Sequence, residues 1–249
     1  MTRMVGMETM ILQLNGQSER MADPSREFHR EFYGRVFDQM PLLVSGRNKQ
    51  GEVDDVPRNP ASFAYVLERR MEAPQDVREA WQNNYFSTGD SLARGVDGSL
   101  VSTWDSPILR TVTPESTLLD GALRLSTAQW NELRAQKDGT LYLSADEVAQ
   151  LDGQGYVKKN SVWTPENPNI TKVWEHLSRG RDLKEYVEMV ADARSDNERI
   201  MHVYLDQDQL SSPTLRGWVA NRIDNSSPAY GYYLCGSRDR LVGIATLLS

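Results

Sequence analysis

Asp206 and Asp208 end the apolar run HVYLDQDQL at a spacing of two. In an extended strand residues two apart project from the same face, so both carboxylates would stand together at the strand end. That pairing suits Mg²⁺ chemistry, one carboxylate holding the ion while the other acts as nucleophile or base. It would make the chain a metal-dependent hydrolase or phosphotransfer enzyme, with Asp206 and Asp208 as both catalytic and metal-binding residues and Mg²⁺ as its cofactor. The simpler account is structural: aspartate commonly closes a strand at a turn. Ser212 and Pro213 would then start a helix just beyond it.

Two arginine-rich turns, SRGRD at 178–182 and GSRDR at 236–240, offer a different chemistry. Arg179, Arg181, Arg238 and Arg240 would bind a phosphate or carboxylate in bidentate fashion if the turns met in space. The chain would then be a sensor of small anionic ligands. Each turn also holds an aspartate, so ion pairs with internal or neighbouring acids are the simpler use of these arginines.

The other reactive side chains form no recognisable set. His29, His176 and His202 lie in different segments, without the close His pair of a zinc site. His176, beside Trp174 and Leu177, reads as a buried or half-buried structural histidine. Cys235 is the single cysteine, which excludes an intrachain disulfide and a thiolate cluster. Neither common nucleotide-binding glycine loop occurs. Glu185, Glu188 and Asp192 form one stripe of a helix whose other face carries Leu183, Tyr186, Val187 and Val190, so the acids read as its solvated side.

The elements that must position these residues follow from periodicity and punctuation. Residues 9–14 read as a first strand. A helix is expected from Pro24 to Pro41, on the spacing of Phe28, Phe32, Tyr33, Val36 and Met40. Residues 44–60 read as a polar loop. Asn59-Pro60 and Pro74 begin two more helices, the second carrying Val77, Trp81 and Tyr85. STGDSLARGVDGS, 87–99, reads as a loop and candidate subdomain boundary. SLVSTW and SPILRTV read as strands, and SVWTPENPN as a linker. Ser126 with Gln129, and Ser144 with Glu147, have the spacing of capping boxes. Helices near 170–178 and 182–194 precede a strand at 200–205. AYGYYLC and LVGIATLL read as a closing hairpin joined by GSRDR. Trp81, Trp130, Trp174 and Trp218 fall on apolar faces and point to core, while Trp104 and Trp163 are surface candidates.

Strands and helices alternate only locally, which predicts an α+β fold. Its sheet is expected to be mixed or mainly antiparallel, built from the first strand and the C-terminal hairpin and packed with several short-to-medium helices. One compact domain over 1–249 is expected, the second option being two subdomains divided near 87–105. The formal charge of −7 disfavours nucleic acid as a partner. The longest apolar stretches fall well short of the ~20 residues that cross a bilayer. With no signal-like apolar segment, the expected location is cytoplasmic and no membrane partner is expected. The absence of a catalytic signature leaves binding of another protein as the leading functional expectation.

Overall fold

Residues 87–99, so rich in Gly, Ser and Asp that they read as a loop, instead supply most of the sheet's central strand, β3 (Phe86–Arg94), buried along nearly its whole length. The computed structural model describes residues 31–33, 35–47, 51–53, 57–193, 199–205, 210–232 and 240–245. The polar residues of β3 are there for its neighbours. Gly89 passes so close to the preceding segment that a Cβ would stand 2.8 Å from Pro60 Cγ. Thr88 donates its hydroxyl to the Trp218 carbonyl at 2.8 Å, and the Asp90 carboxylate accepts the Phe63 N–H at 2.7 Å. Satisfied in this way, Thr88 and Asp90 can be buried within the strand.

Before β3 come β1 (Glu31–Tyr33), α1 (Val36–Val44), β2 (Arg58–Pro60), α2 (Phe63–Glu72) and α3 (Gln75–Gln82). After it come β4 (Leu100–Thr103), α4 (Pro107–Arg110), β5 (Leu118–Leu119), β6 (Ala122–Arg124), α5 (Thr127–Ala135), β7 (Thr140–Leu143) and α6 (Ala145–Ala149). The last part holds β8 (Gln154–Lys159), β9 (Val162–Pro165), α7 (Pro168–Leu177), α8 (Lys184–Asp192), β10 (Arg199–Tyr204), β11 (Thr214–Ala220), β12 (Ala229–Tyr232) and β13 (Arg240–Ala245). The main sheet runs β1-β13-β3-β11-β12-β10-β8-β9. β13 with β3, and β10 with β12, pair in parallel, and the other named pairs are antiparallel, so the sheet is mixed and the fold is α+β as expected. No helix among the described residues is long and apolar enough to cross a membrane.

Several local expectations give way to long-range pairing. Phe32 and Tyr33 lie in β1 against β13, and the helix starts only at Val36 and runs through Pro41. Asn59 and Pro60 sit in β2, while Ser62 is the residue that caps α2, accepting the Tyr65 N–H. SPILRTV begins with the short helix α4 behind Ser106, and SVWTPENPN contains β9 and the cap of α7. Ser212 and Pro213 precede β11, whose seven residues are all buried, so the expected helix there is a central strand. The closing hairpin is replaced as well. β12 and β13 are separated by β11 and β3 and run in the same direction, whereas a hairpin needs adjacent antiparallel strands. The strand expected at 9–14 lies outside the described residues.

Alternating side chains on the central strands feed two cores. Leu92, Leu100, Trp218 and Val242 face α2, α3, α7 and α8, while Ala93, Val101, Leu215 and Leu241 face α1, α4 and α5. Both capping boxes are present, with Ser126 and Gln129 starting α5 and Ser144 and Glu147 starting α6. Trp81, Trp130, Trp174 and Trp218 are all buried, as expected.

At the centre of the larger core Arg70 is fully buried. Its Nε donates to the Trp81 carbonyl at 2.9 Å. Nη1 donates to Tyr186 Oη at 2.8 Å and Ser227 Oγ at 3.2 Å, and Nη2 to the Asn84 and Ala220 carbonyls at 3.1 and 3.3 Å. All five N–H groups are spent on neutral acceptors from four segments of chain. Lysine has neither the donors nor the planar fork to replace it. Arg70→Lys and Arg70→Met should each lower the free energy of urea-induced unfolding by about 3–5 kcal/mol, because buried carbonyls and hydroxyls lose their donors. A loss below ~1 kcal/mol for Arg70→Lys would contradict this account.

Candidate functional site

β8 and β9 form a tight hairpin. Asn160 and Ser161 both have positive φ, 50° and 66°, which matches the twist of the strands they join. Lys158 pairs with Trp163 and Tyr156 with Pro165, so these four residues share one face. The Lys158 ammonium stands 5.9 Å from the Trp163 ring centre.

Two helices stand over that face. Asn167 caps α7, its Oδ1 accepting the N–H groups of Asn169 and Ile170, with Pro168 in the first turn. Ile170, Val173, Trp174 and Leu177 pin α7 to the core. The helix ends where Arg179 and Gly180 adopt positive φ, 56° and 76°, and the Gly180 N–H returns to the Glu175 carbonyl at 2.8 Å. α8 then buries Tyr186, Val187 and Val190 and leaves Glu185, Glu188 and Asp192 exposed, so the expected solvated stripe is found.

Between the hairpin and these helices lies an open groove of about 1270 Å³. Tyr156, Trp163, Leu183 and Val187 line its apolar part. Val162, 59% exposed, stands at its lip. The charged lining includes Glu175, Asp182, Glu188, Asp192, Lys158 and Lys184. Burial, with the negative charge of Glu175 as a second cause, holds the Tyr156 phenol above its ordinary pKa, so it stays protonated at neutral pH.

Of the arginines expected to converge on a ligand, Arg179 and Arg181 point to different places. Arg181 lines the groove and pairs with Glu68, with Glu72 at 3.7 Å. Arg179 turns to the opposite corner, pairing with Asp105 at 2.8 Å and Asp90 at 3.4 Å. Its guanidinium stands 5.3 Å from the Trp104 ring, which in turn stacks on His176 at 5.2 Å. The Trp104 N–H donates to the His176 carbonyl at 2.8 Å. Fully buried Asp90 also accepts the Asp105 N–H at 2.9 Å, and desolvation raises its pKa although both backbone donors and Arg179 oppose that. Asp90 has no opening to a substrate, so the corner is a latch joining the α7–α8 turn to the central strand.

Arg240 lies in β13, aligned with Tyr33 on one side and Phe86 on the other. Asp206, Asp208 and Arg238 lie outside the described residues. Among the described residues no group of three His, Cys, Asp or Glu side chains could hold a metal ion. Of the groove residues, Trp163 was legible as a surface tryptophan. The alternation in GYVKKNSVWTP around an Asn-Ser turn is the signal for Tyr156 and Lys158, and helical spacing discloses the two faces of α8.

No family model matches the chain, and no curated protein is similar to it. One solved structure, described as the accommodation of massive sequence variation in Nanoarchaeota by the C-type lectin fold, is similar with a TM-score of 0.57 and 15% identity. The match covers 86% of this chain and 96% of that one. The likeness is one of fold.

His176 makes the latch sensitive to acid. Its burial, reinforced by the charge of Arg179, lowers its pKa from 6.5 to about 4. The folded pKa lies below the unfolded one, so the unfolded chain takes up the proton first as pH falls. The stabilisation is complete above about pH 6.5 and fades down to about pH 4. Between about pH 7 and about pH 5 the loss is ~2 kcal/mol. His176→Phe keeps an aromatic ring on Trp104 and should remove this contribution. In urea unfolding, wild type should lose about 2 kcal/mol more than the variant over that interval; equal losses would contradict the assignment.

Proposed function

We propose that this chain is a protein-binding module that receives a segment of its partner in the groove between the β8–β9 hairpin and helices α7 and α8. The groove itself carries the reading: at about 1270 Å³ and open to solvent, it is larger than the roughly 300–1,000 Å³ pockets that enclose small ligands. Its apolar floor and charged rim have the anatomy of a protein interface. Trp163 and Tyr156 are the residue types that most often anchor such contacts. The likeness to the C-type lectin fold supports the reading as well. That other structure is described as accommodating massive sequence variation, which fits a fixed frame carrying a changeable surface.

The test places a photoreactive benzoylphenylalanine at Val162 on the groove lip or at Val96 in the β3–β4 turn, both 59% exposed. Irradiation in lysate of the source organism should give a discrete adduct with one protein from position 162 and none from position 96. Equal labelling at both positions, or none at 162, would remove the groove from consideration as the binding surface.

A further inference from the structure

The charges around the groove are unbalanced once those already committed are set aside. Arg181 is occupied by Glu68 and Glu72. Lys158 lies over the neutral Trp163 ring and keeps its charge, so among the described residues Lys158 and Lys184 are the cations of the lining without an ion pair. Against these two stand four acids, Glu175, Asp182, Glu188 and Asp192, of which Asp182 also accepts the Lys184 backbone N–H at 2.9 Å. Glu188 and Asp192 make no ion pair among the described residues.

Their placement on α8 disfavours the helix by itself. They are four residues apart on one face, where like charges repel. Asp192 also occupies the C-terminal end, where the exposed carbonyls already carry partial negative charge, and the last turn has no basic residue. A cation bound there would relieve both penalties at once. Tyr156 and Trp163 on the hairpin, with Val187 on α8 itself, line the same groove and offer an apolar seat beside the negative helix end.

We infer that the groove takes a cationic peptide segment, with lysines or arginines against the C-terminal half of α8 and an apolar side chain on the Tyr156–Trp163 face. This rests on the groove being the binding surface and adds the chemistry of its occupant. An extended segment gains ~3.3 Å per residue, so a peptide of about ten residues spans ~33 Å.

The test uses three synthetic peptides of about ten residues that share one leucine and one phenylalanine, with the remaining variable positions all Lys, all Glu or all Ser. Binding to the full chain is followed by calorimetry at about 0.15 M salt, where long-range attraction to the acidic protein is screened. The Lys peptide should bind about tenfold more tightly than the Ser peptide, and the Glu peptide most weakly. In the double variant Glu188→Lys, Asp192→Lys that order should reverse, and Trp163→Ala should weaken the Lys and Ser peptides alike. A Lys preference that survives the double reversal, or wild type favouring the Glu peptide, overturns the inference. If no peptide binds while position 162 still cross-links to a protein, the cationic occupant is wrong and the groove reading stands. Self-association of wild type that Trp163→Ala abolishes, with no peptide competing, assigns the groove to a second copy and also overturns the inference.

Discussion

A guanidinium buried among neutral acceptors is the constraint on which the larger core depends. Each of the five N–H groups of Arg70 meets a neutral oxygen. Removing such a charge from water costs several kcal/mol, and the cost is offset only while every bond is made. The acceptors come from the end of α3, from Tyr186 on α8, from the end of β11 and from Ser227 before β12. None of these segments can shift without leaving a donor or an acceptor stranded. Tyr186 and Ser227 are themselves 2.5 Å apart, so the network closes on itself.

That constraint reaches the groove. Tyr186 and Val187 are adjacent on α8, one turned to Arg70 and the other to the groove floor. The Asp90–Arg179 latch fixes the turn that feeds α8 from the far side. Helix position is therefore set at two points, and the groove is held open by its frame without needing an occupant. The exposed lip residues Val162 and Glu188 make none of these contacts. They can change with little effect on the fold.

What the sequence discloses divides along the same line. The capping boxes at Ser126 and Ser144, the two faces of α8 and the buried Trp174 and Trp218 are legible, because they rest on spacing within a few residues or on a large apolar group. β3 is illegible: Ser87, Thr88, Gly89 and Asp90 look like a turn until Trp218, Pro60 and Phe63 are placed beside them. β11 looks like a capped helix for a similar reason, since Ser212-Pro213 suits either element and only pairing with β3 and β12 decides. Of the proposed ligand arginines, the sequence offers the right residue types but not their partners. Arg179 and Arg181 are answered by acids from other segments, at Asp90, Asp105, Glu68 and Glu72. The groove has no motif because its surface is assembled from a hairpin, a turn and two helices.

Arg70 and the groove wall form one cooperative unit. Hydrogen exchange tests it most directly, comparing the Arg70 Nε–H with the Val187 amide, which donates to the Leu183 carbonyl at 2.8 Å. The account predicts that both exchange only through global unfolding, with equal free energies of opening and the same dependence on urea. A Val187 amide that opens at a much lower free energy, while Arg70 stays protected, would show that α8 moves independently and would contradict it.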